Sequence, residues 1–102
     1  MARVALLCPD LLFGSNVEGA LRAAGHEVTR HDSPGDLGDP DVLVVDLNAV
    51  VAEPLAGVPA VGFYSHVDQD TRVQAEAAGY DVVVPRSRMA RETAAVVERA
   101  LA

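Results

Sequence analysis

The sequence contains no lysine and no tryptophan, and only one of its 102 residues is a cysteine. Without lysine, the chain cannot form a Schiff base or supply the lysine of a phosphate-binding loop. Aromatic residues make up 4% of the chain, which argues against a surface that stacks nucleic-acid bases. The single Cys8 excludes an internal disulfide, and we therefore expect a reducing, cytoplasmic location.

Positive charge is also scarce, because eight basic residues face fifteen acidic ones and the net charge is −7. Proteins that bind nucleic acids neutralise phosphates with lysine and arginine, so this composition argues against a DNA or RNA partner. The apolar runs are short, so we expect no membrane-spanning segment. Residues 1–4 lead into an apolar run without a cleavage site, which argues against a signal peptide. We expect one domain over residues 1–102.

What the sequence does contain is an alternation of short β-branched runs and helical patterns. Ser15 with Glu18, and Ser65 with Asp68, have the spacing of capping boxes and mark two helix starts. The pattern predicts strands at 3–8, 26–30, 42–46, 60–63 and 81–84, helices at 15–24, 65–78 and 87–101, one or two helical turns within 48–56, and loops at 9–14 and 31–40. This order predicts a three-layer α/β fold with a parallel sheet.

In such sheets, ligands bind beyond the carboxyl ends of the strands. The candidate site residues are therefore those that directly follow each predicted strand. They are Pro9, Asp10, Asp46, Asn48, Tyr64, Ser65, His66, Pro85 and Arg86.

Four segments, in this order and spacing, resemble a response-regulator receiver domain of the CheY type. They are residues 25–28, 40–47, 58–61 and 77–81. The resemblance covers the whole chain and implies a flavodoxin-like, five-stranded parallel sheet of strand order 2-1-3-4-5. The stretch between strands two and three is too short for a full helix, so we expect that helix to be missing or reduced.

The resemblance also implies roles for particular residues. Asp46 matches the phosphoacceptor aspartate, Ser65 matches the switch residue after strand four, and Arg86 stands where receivers carry a lysine. The acidic pair that holds Mg²⁺ in receivers is replaced by Cys8 and Pro9, with Asp10 nearby. The chain therefore resembles a shortened, degenerate receiver, or pseudo-receiver.

Each of these residues also has a simpler interpretation. Asp46 could be phosphorylated with help from a metal held by Asp10 and Asp46, or it could pair with Arg86 as an ordinary aspartate at a strand end. Ser65 could gate a switch or cap a helix. His66 could bind a metal or titrate, or it could be a solvated residue at a helix start.

Three further features remain open. Cys8 could be a reactive thiol or a small buried side chain. Arg88 and Arg91 could bind an anion, an acidic loop or a partner protein, or they could simply be solvated. The apolar residues 11–13 lie in a predicted loop, where they could cap the core or form a patch that binds protein.

These observations support three functional hypotheses. The first is a non-enzymatic regulatory or protein-interaction module that acts in trans without phosphorylation and needs no cofactor. The second is a phosphoacceptor receiver that uses Asp46 and Mg²⁺. The third is a small-anion-binding protein that uses Arg86 and the backbone amides of Gly14 and Ser15.

The resemblance also implies a contact surface for a weak homodimer or a protein partner. It is the face formed by helix 65–78, strand five and the last helix. Helix 65–78 carries small or β-branched apolar side chains at Val73, Ala77 and Ala78, ringed by mixed charge. Residues 11–13 are the competing surface.

Overall fold

The chain folds around a parallel β-sheet in the computed structural model, which describes residues 2–65 and 67–102. Within these residues the strands are β1 (Arg3–Leu7), β2 (Glu27–His31), β3 (Val42–Asp46), β4 (Ala60–Tyr64) and β5 (Val82–Pro85), and the helices are α1 (Leu11–Ala23), α2 (Gln69–Ala78), α3 (Arg86–Arg91) and α4 (Thr93–Leu101). The strand order is β2-β1-β3-β4-β5, and all neighbouring pairs are parallel. The predicted flavodoxin-like order is confirmed.

The sheet is covered on both faces because successive side chains of each strand point to opposite sides. Leu6 and Val44 belong to the core of the first face, whereas Leu7 and Val45 belong to the core of the second. The first face is covered by α1, α3 and α4, which contribute Val17, Leu21, Met89, Val96 and Val97. The second face is covered by α2, through Ala75, and by irregular segments. The result is the predicted three-layer arrangement.

Helix α1 begins earlier than predicted. Asp10 is its N-cap, and the Asp10 Oδ1 atom accepts a hydrogen bond from the Phe13 N–H at 2.9 Å. The capping box assigned to Ser15 is therefore wrong, and so is the loop at 9–14. Ser15 lies exposed in the second turn of α1. An aspartate caps a helix as well as a serine does, and the apolar spacing continues back from Val17 to Phe13.

Helix α2 begins later than predicted, because Asp68 and not Ser65 is its N-cap. The Asp68 side chain accepts hydrogen bonds from the N–H and the hydroxyl of Thr71. The helix ends as expected at Gly79, whose φ of 105° is left-handed and favours glycine. After β3 a single turn forms, in which the N–H groups of Ala49 and Val50 donate to the Asp46 carbonyl.

The predicted last helix is interrupted at Glu92, where φ is −127° and ψ is 36°. Next to the break, the Thr93 hydroxyl donates to the Met89 carbonyl at 2.6 Å. Such a bond competes with the helical ladder and explains why a continuous apolar pattern gives two helices. No helix among residues 2–65 and 67–102 is long and apolar enough to span a bilayer.

Two of the crossovers between parallel strands contain no helix in the described chain. The first is the 32–41 loop, between β2 and β3, where the helix was predicted to be missing or reduced. The second is the 47–59 segment, between β3 and β4. Both lie on the second face of the sheet, where Leu37 and Leu47 pack against the core. Leu47 fits because β4 has a glycine beneath it: a Cβ atom on Gly62 would lie 2.5 Å from the Leu47 Cδ1 atom.

Candidate functional site

The carboxyl ends of β1, β3 and β5 bring three charged residues together. Asp46 ends β3, Asp10 follows β1, and Arg86 begins α3 directly after β5. The chain leaves β1 and β3 towards opposite sides of the sheet, so this edge is the topological switch point, where α/β proteins place their sites. These three residues lie at the edge of the sheet to which the sequence analysis assigned its candidate site.

Asp46 is nearly enclosed, with 2% of its side chain exposed. Its Oδ1 atom accepts a hydrogen bond from the Asn48 N–H at 3.2 Å. Its Oδ2 atom accepts a hydrogen bond from the Nη1 atom of Arg86 at 3.1 Å. The predicted ion pair between Asp46 and Arg86 is therefore present.

Arg86 bridges both carboxylates of the site. Its Nη2 atom contacts the Oδ2 atom of Asp10 at 3.2 Å, while its other terminal nitrogen holds Asp46. The planar fork of a guanidinium can donate to two acceptors at once in a fixed geometry. A lysine ammonium is a compact point charge and lacks this geometry. Asp10 thus has two tasks, because its Oδ1 atom caps α1 and its Oδ2 atom binds Arg86.

Two phenylalanine rings support the guanidinium. Its Cζ atom lies 4.3 Å from the centre of the Phe13 ring and 5.7 Å from that of Phe63. The two ring centres are 5.1 Å apart. Cation–π contacts of this kind hold an arginine in one orientation. We call the group formed by Asp10, Asp46, Arg86, Phe13 and Phe63 the arginine clasp.

The two phenylalanines of the clasp were missed by sequence reasoning. Phe13 was assigned to an apolar loop and Phe63 to a buried strand. The available signal was weak: Phe13 and Val17 are four residues apart, which places Phe13 on the inner face of a longer α1. The neighbouring Leu11 and Leu12 are exposed, at 80% and 76%. The apolar residues 11–13 therefore divide into two exposed side chains and one that belongs to the clasp.

Cys8 lies beside the clasp as a protonated thiol. Its Sγ atom is 3.9 Å from the Asp46 Oδ2 atom and 3.8 Å from the Asp10 carbonyl oxygen. Burial raises the pKa of the Cys8 thiol above its usual value, and the neighbouring Asp46 carboxylate raises it further. Since the thiolate is the nucleophile, this environment disfavours a reactive cysteine.

A second polar group connects the ends of β3 and β4. The Oδ1 atom of Asn48 accepts the Ser65 N–H, and its Nδ2 atom donates to the Asp68 Oδ2 atom at 2.9 Å. Hydrogen bonds from Thr71, with a smaller contribution from Asn48, lower the pKa of Asp68. Ser65 is thus tied through its backbone to the turn that follows Asp46. The other candidate at this edge, His66, lies outside the described residues.

The remaining predicted residues are not part of the clasp. Ser15 and Gly14 lie inside α1, where the Gly14 N–H already donates to the Asp10 carbonyl at 2.9 Å. Arg88 and Arg91 both contact Glu92, at 3.7 Å and 3.2 Å. These two arginines therefore share one carboxylate of the same segment.

The two carboxylates on which a magnesium site would depend both bind Arg86. Mg²⁺ needs carboxylate oxygens together with water or phosphate. Each of the four carboxylate oxygens of Asp10 and Asp46 already has a partner: the N–H groups of Phe13 and Asn48, and the two ends of Arg86. Among residues 2–65 and 67–102, no three His, Cys, Asp or Glu side chains are placed to hold a metal ion together.

Comparison with known proteins identifies the architecture. No protein-family model and no curated protein matches the sequence. The fold is similar to that of NtrX from Brucella abortus, with a TM-score of 0.81 and 21% identity over 98% of this chain and 27% of NtrX. The chain thus spans about a quarter of the length of NtrX.

Two shorter structures match over most of their own length. Rec1 of ShkA, solved in complex with c-di-GMP, has a TM-score of 0.79 at 21% identity, over 94% of this chain and 89% of Rec1. The receiver domain of a Francisella response regulator has a TM-score of 0.77 at 13% identity, over 99% of this chain and 97% of that domain. The chain has the fold of a response-regulator receiver domain.

Proposed function

We propose that this chain is a non-enzymatic, receiver-like regulatory module that binds a protein partner and does not depend on phosphorylation of Asp46. The observation that supports this most directly is the arginine clasp. The Arg86 guanidinium lies between Asp10 and Asp46 and donates a hydrogen bond to each carboxylate. A receiver that accepts a phosphoryl group needs a divalent cation there to neutralise the phosphate oxygens.

The clasp also argues against the small-anion alternative. An anion at Arg86 would compete with two carboxylates that already bind the guanidinium, one of them buried. The N-terminus of α1, the second part of that proposed site, is capped by the Asp10 side chain. A negative cap makes this helix start a poor place for a second negative charge.

Phosphorylation is tested by incubating the protein with acetyl phosphate and Mg²⁺ and measuring its intact mass. We expect no stable phosphoryl adduct, while an active receiver treated alongside verifies the reagents. The matched control is Asp46→Asn, which removes the acceptor and keeps the shape of the side chain. A mass increase of one phosphoryl group that disappears in Asp46→Asn would overturn the proposal and favour the phosphoacceptor hypothesis.

Association through the face of α2, β5 and the last two helices remains part of the proposal. On α2, Val73, Ala77 and Ala78 are exposed, and the small alanines permit close approach. Ala77→Glu places a charge in this face, and Leu12→Ser changes the competing exposed apolar pair on α1. Phe13 is unsuitable for that comparison because it supports the clasp.

Light scattering over a range of concentrations distinguishes the two surfaces. If α2 mediates a weak homodimer, Ala77→Glu lowers the average mass and Leu12→Ser leaves it unchanged. The reverse result assigns self-association to α1. A wild-type protein that stays monomeric at high concentration contradicts the homodimer and leaves a different protein as the partner.

A further inference from the structure

The second face of the sheet carries an open groove where the crossover from β3 to β4 lacks a helix. The groove has a volume of about 340 Å³ and lies between the 47–59 segment and α2. Most of its lining is apolar or small and includes Val50, Val51, Ala75, Ala78 and Tyr80, with Glu53 as its acidic residue. In doubly wound folds, crossover helices normally cover such a face, so here apolar surface is left open.

The two sides of the groove are held in place. On one side, the Tyr80 hydroxyl donates to the Ala52 carbonyl at 2.7 Å, which fixes the 47–59 segment against the sheet. On the other side, Ala75 packs into the core of the second face. At the opening, Val51 is 93% exposed, although valine is a side chain that proteins usually bury. The groove is thus a defined surface with an exposed apolar side chain at its edge.

Charge is divided unevenly along the sequence, and residues 32–81 are its acidic half. They contain ten acidic residues, of which Asp46 is buried in the clasp, and one arginine, whereas the rest of the chain contains five acidic residues and seven arginines. The acidic half includes the 32–41 loop, the 47–59 segment and α2, which together cover the second face. Its one arginine, Arg72, is paired with Glu76 at 3.6 Å. Glu53, in the groove lining, makes no ion pair with another described residue.

We propose that this groove binds an amphipathic helix of a partner protein, with apolar residues on one face and lysine or arginine on its flanks. The apolar residues would enter between Val50 and Ala75, where a groove receives positions i, i+3, i+4 and i+7 of a helix. The basic flanks would meet Glu53 and the other exposed acidic side chains of residues 32–81, which also speeds the encounter. This surface deepens the proposed function, since it names the kind of partner, but it does not involve the clasp.

A synthetic panel tests the proposal with the full chain. It consists of three amphipathic peptides of about 14 residues, four helical turns, that carry leucines on one face and lysines elsewhere and differ in leucine spacing. The controls are a glutamate version and a scrambled lysine version of each peptide. Fluorescence anisotropy measures affinity, and backbone NMR shifts of the protein locate the contact.

We expect at least one lysine peptide to bind more tightly than its two controls, with shifts concentrated in residues 47–53 and 71–80. Ala78→Arg places a large cation in the groove and should weaken binding ~10-fold or more. Ala23→Arg adds the same charge at an exposed position on α1, outside the groove lining and both candidate association surfaces, and should change affinity by less than ~2-fold.

Several results would overturn the proposal. One is that none of the lysine peptides binds. Another is equal binding of the scrambled peptide, or equal weakening by Ala23→Arg and Ala78→Arg, because either indicates general attraction to negative charge. If the backbone NMR shifts of the groove residues change when the protein is concentrated without peptide, the groove binds a second copy of the chain instead. The mass test of Asp46 is independent, so failure here leaves the phosphorylation-independent role standing.

Discussion

Replacing Arg86 by alanine should destabilise the protein more than its position near the surface suggests. The substitution leaves the Asp46 carboxylate, 2% exposed, without its only described ion-pair partner. It also removes the Asp10 contact and the guanidinium from the Phe13 ring.

The magnitude depends on burial. Breaking a buried ion pair costs ~3–5 kcal/mol, whereas an exposed pair contributes ~0–1 kcal/mol. Since the Arg86 side chain is 31% exposed and that of Asp46 is not, the cost should fall between these limits. The lost ring contact adds ~0.5–1 kcal/mol. We therefore expect Arg86→Ala to lower the free energy of unfolding by ~2–4 kcal/mol, and Tm by at least ~8 °C.

Urea denaturation of a double-mutant cycle measures the coupling. The double variant Asp46→Ala/Arg86→Ala should lose less stability than the two single variants together, by at least ~1 kcal/mol. Arg88→Ala is the matched control, because Arg88 pairs with Glu92 at the surface and should cost less than ~1 kcal/mol. Single effects that add within ~0.5 kcal/mol would refute the idea that Asp46 and Arg86 act as a pair.

Three further predictions concern other sites. Gly14→Ala should change the urea midpoint little, because the new Cβ atom displaces only the flexible end of the Arg30 side chain while alanine favours a helix over glycine by ~1 kcal/mol; a large loss of stability would contradict this. Cys8 should react with iodoacetamide at pH 8 far more slowly in the native protein than in urea, and equal rates would show that the thiol is accessible. Burial raises the pKa of Tyr80 to about 12, so the unfolded chain loses this proton first and stability should fall as the pH rises from ~10 towards 12. Tyr80→Phe should remove that part of the pH dependence.

The strands and their order were predictable because they rest on patterns within the chain. Runs such as Val42–Asp46 are apolar without alternation, which is typical of a strand buried on both faces, and all five strand boundaries are correct within one residue. The pairing of Asp46 with Arg86 followed from placing both residues at the same edge of a parallel sheet.

Helix starts were harder to predict, because several residues compete for the cap. Ser15 and Asp10 are both good N-caps, and the choice depended on whether Phe13 packs inward. The break at Glu92 lies beside a local bond from the Thr93 hydroxyl to the Met89 carbonyl, which the apolar pattern does not reveal. The first boundary thus depends on a tertiary contact and the second on a local side-chain bond.

The clasp could be predicted only in part, because it is built from contacts between residues that are far apart in the sequence. Asp10 and Arg86 are 76 residues apart, and nothing in their local sequence links them. The position of Phe13 over the guanidinium depended on the corrected start of α1. The groove forms because no helix lies between β3 and β4. The effect of this missing helix on the surface is seen only in the folded chain.

The most direct test of the central claim, that Arg86 holds the place of a metal ion, is a Mg²⁺ titration followed by backbone NMR. The wild-type protein should show no saturable shifts at the amides of Asp10, Asp46 and Asn48 at millimolar Mg²⁺. In a folded Arg86→Ala variant, whose carboxylates lose their shared cation, such shifts should appear. Saturable shifts at these amides in the wild-type protein would contradict the claim, because they would show that Mg²⁺ enters the site while Arg86 is present.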